Sequence, residues 1–147
     1  MKAKEYLQQL QRLNTVINQK VKELESLRMQ SKSLGGTDYS KERVKTSHSG
    51  KSPFVNIIGK AIDLEGEINR EIDKFIGEKH TIINQIQALH NSKYIRVLYK
   101  HYVEFKRLEV VAVEMNYTYQ YIVELHGAAL RCFQTTYKNL LNSYKPI

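Results

Sequence analysis

Residues 107–133 read RLEVVAVEMNYTYQYIVELHGAALRCF, and this stretch decides what kind of fold the chain adopts. Apolar side chains recur every three or four residues on both sides of the break 116–118, which is the spacing of two amphipathic helices. Asn116 tolerates the left-handed backbone that a tight turn requires, and the Thr118 hydroxyl can cap the helix that follows. With small Ala112 where the two helices cross, the pattern indicates a helix-turn-helix.

The rest of the C-terminal segment, 91–147, is predicted to form helices that accompany this pair. Asn91 or Ser92 can cap a helix that runs through Tyr102, and a short connection follows at 103–106. The last long helix is predicted to bury one face, which carries Ile122, Leu125, Ala129, Cys132 or Phe133, and then Leu140. Eight of the ten tyrosines lie in this segment, which distinguishes it from the residues before it.

Two apolar stripes precede this segment, and their heptad spacing is typical of coiled coils. The first stripe consists of Tyr6, Leu10, Leu13, Ile17, Leu24 and Leu27, with Lys20 in the one missing place. The second consists of Phe54, Ile58, Ala61, Ile68, Ile72, Phe75, Ile82, Ile86 and Leu89, with Glu65 and Lys79 as polar interruptions. Residues 31–52, rich in Ser, Gly, Lys and Thr, predict a mobile loop between them.

We therefore expect an all-α chain of two domains. Residues 1–90 form a long antiparallel helical hairpin, a coiled coil, and residues 91–147 form the helix-turn-helix module. If paired positions in the hairpin sum to 85, Lys20 lies opposite Glu65. Two polar defects then become one half-buried pair that fixes the alignment of the helices.

Gly59, Gly66 and Gly77 fall within a narrow arc of the second predicted helix. Glycine weakens a helix interior by about 1 kcal/mol relative to alanine. Two interpretations remain open. Another helix, such as that of a second subunit, approaches closely at these positions, or the glycines are tolerated on an already stable coil.

Composition excludes several functional classes. Cys132 is the one cysteine and cannot form an internal disulfide, and the polar N-terminus is neither a signal peptide nor a membrane span, so we expect a soluble cytoplasmic protein with no membrane association. The five histidines include no pair spaced by four residues, and no glycine-rich phosphate loop is present. We expect no catalytic residue, no bound metal and no cofactor, and hence no enzyme.

The net charge of +8 favours polyanionic partners. Positive charge lies at both ends of the chain and in the predicted loop, whereas residues 54–90 carry six acidic and four basic side chains. The alternative is a generic basic surface that aids solubility. Charge alone does not decide between these two interpretations.

The stretch YIRVLYKHYVEFKRLEVVAVEMNYTYQYIVELHGAAL resembles the C-terminal part of small phage and prophage transcriptional regulators of Gram-positive bacteria, the ArpU and RinA group. That part of the family is similar to the fourth region of sigma factors. ERVKTSHSGKSPFVNIIGKAIDLEGEINREIDKFI resembles the middle of the same family, so the resemblance covers residues 42–133. It implies control of phage or prophage genes through double-stranded DNA, with RNA polymerase as a further partner.

The resemblance also implies which residues meet DNA. Five residues at the start of the second helix of the motif would face the major groove: Thr118, Tyr119, Gln120, Val123 and Glu124. Three cations would contact phosphates: Lys106, Arg107 and Arg131. Gln120 is suited to bidentate pairing with adenine, and Val123 to contact with a thymine methyl group. A homodimer would double this readout and impose a spacing between two half-sites.

One feature departs from the family pattern: no basic residue occurs between Thr118 and Ala129, and Glu124 lies where an arginine is common. Either Glu124 accepts a hydrogen bond from a cytosine amino group, or the helix meets a protein such as a polymerase subunit. The alternative function is therefore a protein–protein adaptor, or an inhibitor of a host or phage transcription protein, that does not bind DNA directly.

Overall fold

The structure is a computed structural model that describes residues 1–37 and 53–146. Within these ranges the chain is all-helical and contains no strand. The described residues form six α-helices: α1 (Lys2–Thr37), α2 (Pro53–Gln87), α3 (Ser92–Leu98), α4 (Leu108–Met115), α5 (Tyr119–Thr136) and α6 (Lys138–Ser143). A π-helical turn, Tyr99–Val103, extends α3. The expected all-α class is confirmed.

The chain divides into two compact units, and the division does not fall at residue 90. The first unit comprises Met1–Asn14 and Phe75–Ile147, and the second is Thr15–Lys74. The start of α1 and the end of α2 thus belong with the C-terminal helices. Hydrophobic side chains explain this grouping, because Leu7 and Ile86 are fully buried in the same core as α5.

The core of the first unit is built around α5, which packs against α3 and α4, while α6 contacts α5. Its fully buried side chains include Ala3, Leu7, Leu10, Ile82, Ile86, Val97, Leu98, Val111, Ile122, Ala129, Phe133 and Leu141. The Phe133 ring centroid lies 6.0 Å from that of Tyr6 and 4.7 Å from that of Tyr137. Further contacts tie α1 to this core: the Tyr6 hydroxyl donates to Gln85 Oε1 at 2.7 Å.

The prediction for the last helix is right for most of its buried face and wrong at its end. Ile122, Leu125, Ala129 and Phe133 are buried, whereas Cys132 is only partly so. Leu140, predicted to be buried, is 38% exposed, and its neighbour Leu141 is fully buried. The reason is a break between Thr136 and Lys138, which separates α5 from α6 and interrupts the helical period.

In the second unit, α1 and α2 pack as an antiparallel pair. Buried Leu24, Ala61, Leu64 and Ile68 form its core. The two helices are antiparallel because later residues of α1 meet earlier residues of α2. Lys20 lies near Glu71, whereas Arg28 pairs with Glu65. These contacts support the expected helical hairpin.

The predicted alignment of that hairpin is wrong. Lys20 does not meet Glu65: its Nζ atom lies 3.9 Å from carboxylate oxygens of both Glu67 and Glu71. Glu65 instead forms an ion pair and hydrogen bond with Arg28. The physical reason is that Leu64, not Glu65, occupies the seam between Ala61 and Ile68, so no polar defect exists there.

The glycines of α2 meet no neighbouring helix among the described residues. A Cβ atom added at Gly59 or Gly77 would find nothing within 4 Å, and one at Gly66 would lie 3.5 Å from the Arg70 guanidinium. The predicted loop 31–52 also begins too early, because α1 continues to Thr37. Residues 38–52 lie outside the described part of the chain.

Candidate functional site

The turn between α4 and α5 is closed by a left-handed residue. Asn116 has φ 60° and ψ 43°, the left-handed conformation anticipated from its sequence position. Its N–H donates to Val113 O at 3.2 Å, and the Tyr117 N–H donates to Ala112 O at 3.0 Å. This pair of bonds is the Schellman arrangement, which satisfies the last carbonyl groups of α4 and fixes the direction in which the chain leaves it.

Thr118 begins the next helix as predicted. Its Oγ1 atom accepts a hydrogen bond from the Tyr121 N–H at 3.1 Å, so a side chain satisfies one of the free amides of α5. The inner face of α5 is anchored by Ile122 and Leu125, both buried. Cap and core together hold the first two turns of α5 in a fixed position on the unit.

The outward face of α5 carries the residues that were expected to meet DNA. Gln120, Glu124 and Arg131 are exposed, and at about 100° per residue they fall in one stripe opposite the buried face. Gly127 lies in the same stripe, where a Cβ would be 3.4 Å from Arg131 Nη1. The guanidinium of Arg131 therefore lies back along α5 toward Glu124.

Tyr119 and Val123 form a second exposed strip on α5, beside this stripe. They are 46% and 43% exposed and are four residues apart, so they lie on adjacent turns of one helix face. Four of the five residues predicted to face the groove thus lie on the first two turns of α5, and the fifth, Thr118, precedes α5 as its cap. Arg131 lies two turns further along.

Lys106, expected to contact a phosphate, is instead engaged with acidic side chains. Its Nζ lies 2.9 Å from Glu114 Oε1, which also accepts from Lys100 at 2.7 Å, and 3.5 Å from Glu104 Oε1. The hydrogen bond to Glu114 raises the pKa of Lys106, and the bonds from Lys100 and then Lys106 lower the pKa of Glu114. These carboxylates neutralise much of the charge that the sequence places before α4.

Arg107 lies at the N-terminal cap of α4, where its carbonyl oxygen accepts from the N–H groups of Val110 and Val111. Its side chain is 83% exposed and pairs with Glu109, with Nε 3.0 Å from Oε2. Phe105, two residues before Arg107, has a φ of 60°. This left-handed residue lies in the connection between the π-helical turn and α4, and the sequence did not reveal it.

Lys93, which the sequence gave no reason to select, lies beside the start of α5. Its Nζ is 3.4 Å from the Tyr121 hydroxyl and 5.6 and 5.8 Å from the ring centroids of Tyr117 and Tyr121. The hydrogen bond with Tyr121, followed by the nearby Tyr117, raises the pKa of Lys93. No pattern could have identified this contact, because more than twenty residues separate its partners in the chain.

A histidine–tyrosine cluster supports α5 from the inner side. The Tyr102 hydroxyl and His126 Nε2 form a hydrogen bond of 2.7 Å, and His101 Nδ1 donates to Lys106 O at the same distance. The two histidine rings meet edge to face, with centroids 5.0 Å apart. Burial, followed by the nearby His101 and Lys4, lowers the pKa of His126 to about 4, so its ring is neutral at neutral pH. Burial raises the pKa of Tyr102.

No protein-family model, curated protein or solved structure matches this chain. The resemblance to phage regulators therefore stays a prediction from the sequence. Within residues 1–37 and 53–146, no group of three His, Cys, Asp or Glu side chains is arranged to hold a metal ion. In the same ranges no helix is both long enough and apolar enough to cross a membrane.

Proposed function

We propose that the protein is a phage or prophage transcriptional regulator that binds double-stranded DNA through α4, the turn and α5. The observation that carries the proposal is the arrangement of α5: a helix capped by Thr118, held by a buried inner face and exposed along Gln120, Glu124 and Arg131. A helix fixed in this way can enter the major groove as a rigid body. The sequence resemblance supports the same function.

Roles follow from side-chain chemistry. Gln120, near the N-terminus of α5, pairs with adenine, and Val123 contacts a thymine methyl group. Glu124 accepts from a cytosine amino group, and Arg131 and Arg107 supply charge to phosphates at the two ends of the surface. Lys106 is reassigned: its bonds to Glu104 and Glu114 make it a structural link within the unit.

We further propose that the regulator acts as a homodimer, assembled through the outward side of α2. Val55 and Ile62 are 51% and 63% exposed there, and no atom of the described residues lies within 4 Å of a Cβ built at Gly59. Two copies of α5 would then read half-sites about 34–36 Å apart on one face of the duplex. Sedimentation equilibrium tests this directly, since Ile62→Glu should shift the protein to monomer.

Base readout is tested by the change Gln120→Ala. The wild-type protein should discriminate between its preferred site and a variant site by about 1–3 kcal/mol at the adenine that Gln120 contacts. Gln120→Ala should remove that discrimination and leave the remaining positions unchanged. Gln19→Ala is the matched control, because Gln19 is exposed on α1 in the other unit. Equal preferences in wild type and Gln120→Ala contradict the assigned role.

A second candidate function rests on a different observation. Val110 and Val113 are 42% and 76% exposed and lie one turn apart on α4, while Glu114 neutralises the neighbouring lysines. Exposed apolar residues beside paired charges are suited to a protein partner. The protein would then be an adaptor or inhibitor that binds RNA polymerase or another transcription protein. Val113→Asp should then abolish capture of purified RNA polymerase, and the folded wild-type protein should bind no duplex DNA.

A further inference from the structure

The side chain of Lys93 is held by aromatic rings. Its ammonium group lies over both Tyr117 and Tyr121, whose ring centroids are 4.7 Å apart, and it also contacts the Tyr121 hydroxyl. A cation over an aromatic face is attracted by the ring quadrupole, which restrains the side chain but leaves its charge in place. Lysine normally loses much rotamer freedom when it binds a ligand. In Lys93 the two rings already restrain the side chain before any ligand binds, so less rotamer freedom remains to be lost.

Lys93 differs in this respect from the other cations around α4. Lys100, Lys106 and Arg107 each pair with a glutamate. Of the described Asp and Glu residues, none forms an ion pair with Lys93. The side chain is exposed, so its full positive charge faces solvent.

The position of Lys93 is fixed from both sides. Asn91 Oδ1 accepts from the backbone N–H groups of Lys93 and Tyr94, at 2.9 and 3.3 Å, and so caps α3 at this residue. Tyr121, which Lys93 contacts, lies about 100° around α5 from Gln120 and about 60° from Glu124. If the stripe with Gln120 and Glu124 enters the major groove, this flank of the helix faces the groove wall, where the phosphates lie.

We propose that Lys93, held between Tyr117 and Tyr121, is the phosphate contact that sets the orientation of α5 on DNA. The ligand is a non-bridging oxygen of the duplex backbone. This inference rests on the proposed DNA-binding function and replaces Lys106 by Lys93 as the main cation at the start of α5. Because a phosphate contact carries no sequence information, Lys93 positions the helix and Gln120 reads the base.

The salt dependence of DNA binding tests this assignment. Binding is measured by the fluorescence anisotropy of a labelled duplex that carries the site preferred by the wild-type protein. In a plot of the logarithm of the binding constant against the logarithm of the salt concentration, each neutralised phosphate adds about −0.9 to the slope. Lys93→Met should therefore make the slope shallower by about 0.9. The ratio of wild-type to Lys93→Met affinity should then be about 3.5-fold smaller at 200 mM salt than at 50 mM salt. Lys93→Arg should keep the wild-type slope. Tyr121→Phe keeps the charge and should lower affinity with no change in slope.

Lys22→Met is the matched control, since it also removes one exposed positive charge but lies on α1 in the other unit. A change in slope for Lys93→Met and none for Lys22→Met supports the assignment. If the wild type binds DNA and the two variants have equal slopes, Lys93 is not the phosphate contact, although DNA binding stands. If the folded wild type binds no duplex DNA, both the assignment and the proposed function fail.

Discussion

Acidification should destabilise the first unit through His126. In the folded protein the His126 ring is largely buried, its Nε2 forms a hydrogen bond with the Tyr102 hydroxyl, and the His101 ring and Lys4 lie nearby. Protonation of His126 would place a charge in this buried site, close to His101 and Lys4. Burial, followed by His101 and Lys4, therefore favours the neutral ring and lowers the pKa of His126 from 6.5 to about 4.

The sign of the effect follows from proton linkage. Below pH 6.5 the unfolded chain binds a proton at His126 and the folded chain does not until about pH 4, so stability is retained at neutral pH and lost as the pH falls across this window. A shift of this size corresponds to about 3.4 kcal/mol at about 1.36 kcal/mol per pKa unit. His126 remains partly exposed, so solvent screening reduces the expected loss to about 2 kcal/mol.

Urea unfolding monitored by circular dichroism, at about pH 7.5 and about pH 4.5, measures this loss. His126→Gln keeps an acceptor for Tyr102 but cannot titrate, so it should lose about 2 kcal/mol less stability than the wild type between the two conditions. His90→Gln, at an exposed site, should behave as the wild type. Equal losses in the wild type and His126→Gln would show that protonation of His126 is not coupled to unfolding.

Six further substitutions test the local structure by the same unfolding measurement. Thr118→Ala should cost about 1 kcal/mol because α5 loses its cap, and Thr118→Ser should restore it. Asn116→Val should cost about 1–2 kcal/mol because a β-branched residue resists φ 60°, whereas Asn116→Gly should be tolerated. Leu64→Ala should cost about 2 kcal/mol or more, and Glu65→Ala less than about 1 kcal/mol; the reverse order would show that Glu65 occupies the seam.

Local signals in the sequence were the most reliable. Asn91 as a cap, Asn116 as a left-handed residue and Thr118 as a cap each depend on a few neighbouring residues, and each has the predicted geometry. The inner face of α5 follows equally from helical period, with Phe133 in the core. These features needed no knowledge of how distant segments pack.

Features that depend on tertiary packing were missed. The predicted heptad stripe passes through Glu65, whereas the buried seam passes through the neighbouring residue Leu64. Both stripes have steps of three and four residues, so the spacing alone does not distinguish them. The sequence did not predict the end of α5, because the helix ends at the C-cap residue Tyr137 and not at a glycine or proline that would indicate it. The ring contacts of Lys93 and the ion pairs of Lys106 likewise join residues that only the folded chain brings together.

Selection of genomic DNA fragments by the purified protein, at roughly physiological salt and followed by sequencing, tests whether the protein is a sequence-specific DNA-binding regulator. Specific regulators bind their sites about 10³–10⁷-fold more tightly than other DNA, so enrichment should be large. A sequence-specific dimeric regulator should recover a narrow site with dyad symmetry that contains an adenine sensitive to Gln120→Ala. A folded, helical protein that enriches no sequence above background would contradict this function.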